Sequence, residues 1–360
     1  MATSKQSTAR QRNTSKDRSK PKQETNSERL VVTQSELSTF LTCPRLWWYQ
    51  YKAGVNGCGV GIKQTPDYFI EGELGHYALA MWYQTGAKGT PLMLRKNMIN
   101  RVNELIEEMG EIDPEMDDKL RVKLAAMVGA CHGYKQVRRS DFEMYEVLFV
   151  EEEFSIEVGG VELVGKVDLG LKDKNTGECG FMDHKFMQAI SRDAYSALPL
   201  TLQQMVYCLG FISLMGKLPD WYIFNFVKKS QLRRKKPSKQ RLSSEPLVQY
   251  EARVQQQYVE EKEKMFFRPP PIPVEGDVFV RTKQHIENII GQWVESHDME
   301  PGDLPLNFQS CEGRYGKLCA FGPACTSYLA GRSEKGWDSS VCRGLYESKE
   351  NKHTELKGGK

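Results

Sequence analysis

The sequence predicts an α/β protein, a sheet layered against helices with further helices added. Three observations predict it. Apolar residues recur at helical spacing through much of residues 35–138. The pattern then changes to strand-like segments, three in succession, between Tyr145 and Met187. A helical stretch at 198–215 and a fourth strand at 221–227 follow. A helix, a three-strand antiparallel meander, a helix and a returning strand therefore make the core.

Taken in order, residues 1–30 are rich in Ser, Thr, Lys and Arg with almost nothing to bury, and read as a disordered basic arm. "SELSTFLTCPRLWWYQYK" (35–52) has Ser35 as N-cap, then Leu37, Phe40, Leu41 and Trp47 or Trp48 at helical spacing. Further helices fit 67–84, 94–109 and 117–138. The three strands are "YEVLFVEEEFSIEV" (145–158), "GVELVGKVDLGLK" (160–172) and "CGFMDHKFM" (179–187). After 221–227 come a polar helix (245–265), the breaker "FFRPPPIPVEG" and a helix at 277–297. A Cys-rich loop region begins near 306, and 331–360 reads as a flexible polar tail that Trp337, Val341 and Leu345 anchor in part. One domain is expected over 31–330, with a helical insertion at about 90–140 and the cysteine cluster at 306–330.

Composition narrows the class. At 360 residues and 39% hydrophobic content the chain has ample material for a core. A formal net charge of only +3 means that a nucleic-acid partner must be met by local basic patches. No apolar run approaches the ~20 residues of a membrane span and no signal-peptide core opens the chain, so the expected location is cytoplasmic. Nine cysteines in that compartment point away from disulfides and towards core residues or a metal.

The segment "FMDHKFM" (181–187) places an acid and an ammonium between apolar flanks. If Asp168 lies opposite Asp183, the midpoint falls between Asn175 and Thr176, inside the turn signal "KDKNTGE". The acids are then cross-strand neighbours with Cβ atoms about 5 Å apart. Asp183 and Lys185 share one strand face and His184 points to the other. Two carboxylates that close repel unless a cation lies between them or one is protonated. Mg²⁺ or Mn²⁺ suits such oxygen ligands, with the backbone carbonyl of His184 as a third, and would polarise a phosphate and acidify a water. Lys185 would orient that water or neutralise developing charge. The alternative is a solvated hairpin face carrying an ordinary Asp–Lys pair.

"GKVDLGLKDKNTGECGFMDHK" resembles the two core motifs of the PD-(D/E)XK nuclease superfamily, Gly-x-x-Asp and Asp-x-Lys joined by a hairpin. Three more pieces resemble its RecB-like branch. "GELGH" (72–76) is similar to a Gly-x-x-x-His whose histidine is a further metal ligand, here His76. "QQMVY" resembles a Gln-x-x-x-Tyr motif, here Gln203 and Tyr207, one helical turn apart. "SELSTFLTCPRLWWYQYK" resembles the branch's N-terminal signature. The resemblance runs in order from about Ser35 to Tyr328 and implies a restriction-endonuclease-like core. It also implies a Mg²⁺-dependent DNA nuclease, most simply an exonuclease acting on ends or single strands in replication, recombination or repair. The layout looks most like stand-alone bacteriophage nucleases, which places the chain in a bacterial host cytoplasm. The partner is DNA, with replication or recombination proteins as further candidates. About 70 residues separate His76 from the first strand, and no Gly-x-x-x-x-Gly-Lys-Ser/Thr helicase motif is present.

"CEGRYGKLCAFGPAC" spaces Cys311, Cys319 and Cys325, and Cys43 in "TCPR" is the natural fourth thiolate. One N-terminal and three C-terminal cysteines resemble relatives stapled by an iron–sulfur cluster, among them AddB-type nucleases and a CRISPR-associated exonuclease group. The resemblance implies a 4Fe–4S cluster, with Zn²⁺ or no metal as alternatives; Cys342 is a rival ligand. The x7 spacing after Cys311 departs from the shorter Cys-x2-Cys of those relatives.

Other features carry two readings each. "VKKSQLRRKKPSKQR" (227–241) holds eight basic residues, either a solvated loop or a phosphate-binding patch. Trp47, Trp48, Tyr49 and Tyr51 either pack in the core or stack on unpaired bases. Glu153 reads as a surface strand residue or a further acid of the site. The rival functions are a structure-selective endonuclease on the same core and a non-catalytic nucleic-acid-binding module with a zinc knuckle.

Overall fold

The computed structural model describes residues 30–62, 67–109, 113–189, 201–239, 242–312 and 318–349. The expected basic arm, apart from Leu30, lies outside them. Strand β1 (Val31–Thr33) leads into α1 (Gln34–Thr42). The cap is Thr33, not Ser35: its hydroxyl oxygen accepts the Glu36 N–H at 3.1 Å, two residues earlier than the sequence pattern suggests. Cys43 is extended (φ −166°) and Pro44 restarts the chain as α2 (Pro44–Trp47), so the expected single helix is broken at Cys-Pro. A π-turn at Trp48–Lys52 follows, then β2 (Val60–Ile62).

Helix α3 (Asp67–Thr85) carries His76, α4 (Pro91–Met109) and α5 (Pro114–Val137) follow over the stretch read as an insertion, and a single turn, α6 (Asp141–Met144), delivers the chain to the sheet. The meander is β3 (Tyr145–Val158), β4 (Val161–Asp173) and β5 (Cys179–Met187). Helix α7 (Leu202–Met215) crosses back to β6 (Trp221–Lys228), which pairs parallel to β5. The core order drawn from the sequence is the one observed.

The Pro-rich breaker has a function in the sheet. After α8 (Leu247–Glu260) and α9 (Lys262–Met265), β7 (Phe266–Phe267) and β8 (Ile272–Pro273) both pair with β6, on the edge opposite β5. Two short Pro-flanked segments thus cover an otherwise open strand edge. Helix α10 (Gly276–Glu295) then packs against α1 and α7, before α11 (Phe308–Glu312) and α12 (Gly322–Leu329).

Apolar side chains sort to the two faces of β5 and β6. Phe181, Tyr222 and Phe224 pack with residues of α1, α7 and α10; Met182, Ile223 and Val227 pack with residues of α3, α5 and α8. Trp47, Trp48, Tyr49 and Tyr51 are all buried in the first layer, which removes them as base-stacking residues. Glu36 sits among them at 0% exposure, and its Oε1 accepts both the Trp47 and Trp293 indole N–H groups, at 2.9 and 3.2 Å.

The tail expectation needs correction over its first part. Cys342 and Tyr346 are buried, and β9 (Tyr346–Ser348) pairs antiparallel with β2. Val341 and Leu345 are exposed instead, because the anchoring side chains are the thiol and the phenol beside them. Residues 350–360 lie outside the described residues.

Candidate active site

Strands β4 and β5 pair from Lys172–Cys179 to Leu169–Met182, and there the ladder stops. The next opposed residues are Asp168 and Asp183, the pair that the turn midpoint predicts. Two buried carboxylates facing one another repel, and the strands part at this point. β5 continues beside β6 to Met187, while β4 takes β1 as its neighbour over Glu162–Val164. The His184 N–H, without a ladder partner on β4, donates to Asp168 Oδ2 at 2.8 Å. The resulting gap holds the site.

Three elements bring ligand atoms to Asp168. His76 on α3 lies with Nδ1 3.4 Å from Asp168 Oδ2 and 3.5 Å from Glu151 Oε1. These three side chains offer ligand atoms within 4.8 Å of one another, a group able to hold a metal ion. Glu151 is the residue that the sequence reading misses. It sits in a run of three glutamates, where the strand pattern singles out none, and Glu153 is exposed. An extra residue near Leu148 shifts the β3–β4 register, which brings Glu151 opposite Asp168. Its φ of 50° is strained for a side-chain-bearing residue, as a functional position tolerates. Lys166 Nζ holds Glu151 Oε2 at 2.7 Å, while buried Oε1 has only the looser His76 contact at 3.5 Å.

Asp183 and Lys185 occupy the adjoining wall. Lys185 Nζ lies 2.9 and 2.8 Å from the two oxygens of Asp183 and donates to Gln203 Oε1 at 2.7 Å. Gln203 Nε2 in turn donates to the Tyr207 hydroxyl at 3.0 Å. Gln204, the other residue missed, donates from Nε2 to Asp183 Oδ2 at 2.9 Å. Consecutive glutamines at the start of α7 therefore grip the lysine and its acid separately. Asp183 is brought next to the His76–Glu151–Asp168 group but is not one of its three members. His184 turns to the other face, as its place in the strand predicts. Its ring stacks on Tyr83 at 5.7 Å, and its Nδ1 lies 2.9 Å from Asn225 Nδ2. Asn225 is tied to Arg268 of the Pro-rich segment, which pairs with Asp141 at 2.7 Å.

Burial and like charge set the protonation. Burial pushes the Asp168 carboxyl up to about 7 against the pull of His76, with Asp183 and Glu151 adding to the rise. Burial also works to raise Glu151, but His76 and Lys166 outweigh it and hold that carboxyl down at about 2. Burial opposes the charge on His76, yet Asp168 and Glu151 raise its pKa. Burial keeps the His184 imidazole neutral and the Tyr207 phenol protonated.

Four of the cysteines named from the sequence lie within electrostatic reach of one another. Cys319 and Cys325 each interact electrostatically with Cys43 and Cys311, and the Cys319 N–H donates to the Cys311 carbonyl at 3.0 Å. Cys342 instead lies with its sulfur 3.7 Å from the Ser327 hydroxyl. The basic run divides: Lys229 is buried against Glu71 at 3.0 Å and Arg234 pairs with Asp118 at 2.9 Å, while Arg233, Lys235 and Lys239 are exposed. His132, for which the sequence offers no partner, lies 3.9 Å from Glu251.

An Asp and an Asp-x-Lys on parting strands, with an acid and an imidazole closing over them, define a metal-dependent nuclease. The chain belongs to the PD-(D/E)XK nuclease superfamily, whose family model matches residues 31–326. No curated protein matches it. Among the described residues no helix is long and apolar enough to cross a membrane.

Proposed function

We propose that the protein is a Mg²⁺- or Mn²⁺-dependent deoxyribonuclease that hydrolyses phosphodiester bonds from DNA ends or single strands. The observation that carries this reading is the gap at Asp168 and Asp183, lined by His76, Glu151 and Lys185. Buried Glu151 Oε1, held only by the long His76 contact, and the raised Asp168 carboxyl fit a cation: both call for positive charge in that gap. His76, Glu151 and Asp168 would hold the ion, with Asp183 and the His184 carbonyl beside them. A bound divalent ion supplies Lewis acidity at the phosphate and a more acidic water.

The remaining work falls to the chain. Lys185, fixed between Asp183 and Gln203, supplies a positive charge for the phosphate oxygens as negative charge develops. Tyr207 holds Gln203, and Gln204 keeps Asp183 facing the gap. Arg233, Lys235 and Lys239 offer sequence-independent phosphate contacts. The reading extends to a stand-alone nuclease of bacteriophage type, working in a host cytoplasm in replication, recombination or repair.

Cys43, Cys311, Cys319 and Cys325 are assigned to a metal staple of 4Fe–4S type. Burial pushes the Cys325 thiol up to about 12, so its deprotonation calls for a cation. Among the described residues no three cysteine sulfurs lie within 4.8 Å of one another.

Linear, nicked and covalently closed circular DNA, each incubated with Mg²⁺ and with EDTA, test the activity. Degradation of linear DNA alone supports the exonuclease. Cutting of closed circles would make it an endonuclease, and intact DNA under every metal condition would overturn the reading.

A further inference from the structure

Three polar atoms on side chains that interact electrostatically with Cys325 are buried with no hydrogen-bond partner: Nε and Nη1 of Arg45 and the hydroxyl of Tyr49. Arg45 is only 5% exposed. Its Nη2 donates to the Leu304 carbonyl at 3.0 Å, and its guanidinium carbon lies 5.6 Å from the centre of the Tyr328 ring. Those contacts fix the guanidinium plane and leave the other edge unsatisfied. Among the described residues no carboxylate pairs with it. A guanidinium cannot shed its proton, so burial without a counter-charge is strongly disfavoured. The nearby groups that can become anions are thiols, and a neutral thiol is a poor acceptor.

We propose that Arg45 and Tyr49 are outer-sphere donors to an anionic metal–thiolate centre held by Cys43, Cys311, Cys319 and Cys325, an inference that rests on the cysteine assignment above. Four thiolates around a dication leave about two net negative charges on the centre. Arg45 offsets part of that charge and offers two N–H donors to sulfur; Tyr49 offers a third donor. Such donors orient ligands and retain the metal without touching it. Position in the chain makes the arrangement economical: "CPRLWWY" carries a ligand and both donors within seven residues, with Cys43 extended at the break that Pro44 sets. Arg45 is thus a positioning residue for the staple and stands apart from the nuclease gap.

The test uses the full chain, prepared without oxygen, as the parent and as Arg45→Met, Arg45→Lys, Tyr49→Phe and Cys325→Ser. Iron and zinc per chain are measured, then the rate of metal loss to EDTA, with circular dichroism as the check on folding. The parent is expected to hold metal and Cys325→Ser to lack it. Arg45→Met should release metal about tenfold faster than the parent, within the range seen for outer-sphere changes. Arg45→Lys keeps the charge but not the planar fork and should fall between them. Tyr49→Phe should release metal a few-fold faster. A metal-free parent, or a Cys325→Ser chain that retains full metal, overturns the cysteine assignment itself. A metal-bearing parent whose Arg45→Met and Arg45→Lys forms release metal at the parent's rate overturns the role of Arg45 alone. If Arg45→Met does not fold, Arg45→Lys and Tyr49→Phe decide by the same comparison.

Discussion

The backbone N–H of His184 donates to Asp168 Oδ2 at 2.8 Å, at the point where the strands carrying them cease to pair. One bond replaces a rung of the ladder and fixes a carboxylate that would otherwise be driven away by Asp183. The consequence is a preorganised acid, held by backbone on one side and reached by His76 on the other. The scaffold sets that geometry before any substrate arrives.

Asp183 and Lys185 act as a unit, so removal of the acid is expected to silence the lysine as well. Asp183→Ala should lower the cleavage rate by about 10³-fold or more, with the circular dichroism spectrum unchanged. Cleavage at the parent rate would sink the assignment. Gln204→Leu should be milder, because Lys185 still holds Asp183 after the amide is gone.

Glu151 and Glu153 make a matched pair for testing the metal group. Glu151→Gln removes the partner of Lys166 and a carboxylate of the group, and should raise the Mg²⁺ concentration for half-maximal activity by about 10- to 100-fold. Glu153→Gln on the exposed side should leave it unchanged. Equal effects would mean that general charge, not position, governs the ion.

That pair also marks where the sequence ceases to be readable. Asp168, Asp183 and Lys185 were legible because a hairpin converts sequence distance into cross-strand distance, and the turn residues fixed the midpoint. Glu151 was not, because one extra residue at Leu148 and a positive φ decide which of three glutamates turns inward. Neither leaves a trace in residue type. Gln204 hid behind its neighbour: the Gln-x-x-x-Tyr spacing uses Gln203, and only the burial of Gln204 at 0% exposure and its bond to Asp183 show that both glutamines are engaged. Tyr346 and β9 escaped for a different reason, since a three-residue strand amid polar sequence has no period to detect.

Protons and the divalent ion compete for Asp168. With its carboxyl near 7, the group is largely protonated at pH 6 and largely ionised at pH 8. Apparent Mg²⁺ affinity should therefore weaken about tenfold from pH 8 to pH 6, read by calorimetric titration. The groups facing Asp168 are His76 on α3, Glu151 on β3 and Asp183 and Lys185 on β5. In the metal-free protein the sign is set by linkage: a folded carboxyl pKa above the unfolded value means more protons bound when folded, so this group's contribution falls as pH rises from about 4 to about 7. Asp168→Asn should abolish that part of the slope in thermal unfolding. A slope that survives the substitution would place the proton elsewhere.

The two glycines of "GELGH" give the last prediction, because they look equivalent in sequence and are not. Gly72, the motif position, has open space where a Cβ would stand. Gly75 has the Phe186 ring, and an added Cβ would overlap it. That contact lets α3 approach β5 closely enough for His76 to reach Asp168, with the His76 and Phe186 rings 5.7 Å apart. Gly72→Ala should therefore be neutral or stabilise the helix by up to about 1 kcal/mol, with activity retained. Gly75→Ala should cost about 1–3 kcal/mol through overpacking, and also lower Mg²⁺ affinity by moving the histidine away from its two acids. Thermal unfolding with and without Mg²⁺ separates the two effects: the metal-induced stabilisation should shrink in Gly75→Ala and stay whole in Gly72→Ala. If the metal-induced stabilisation were intact in both, the close approach at Gly75 would matter to packing and not to the metal.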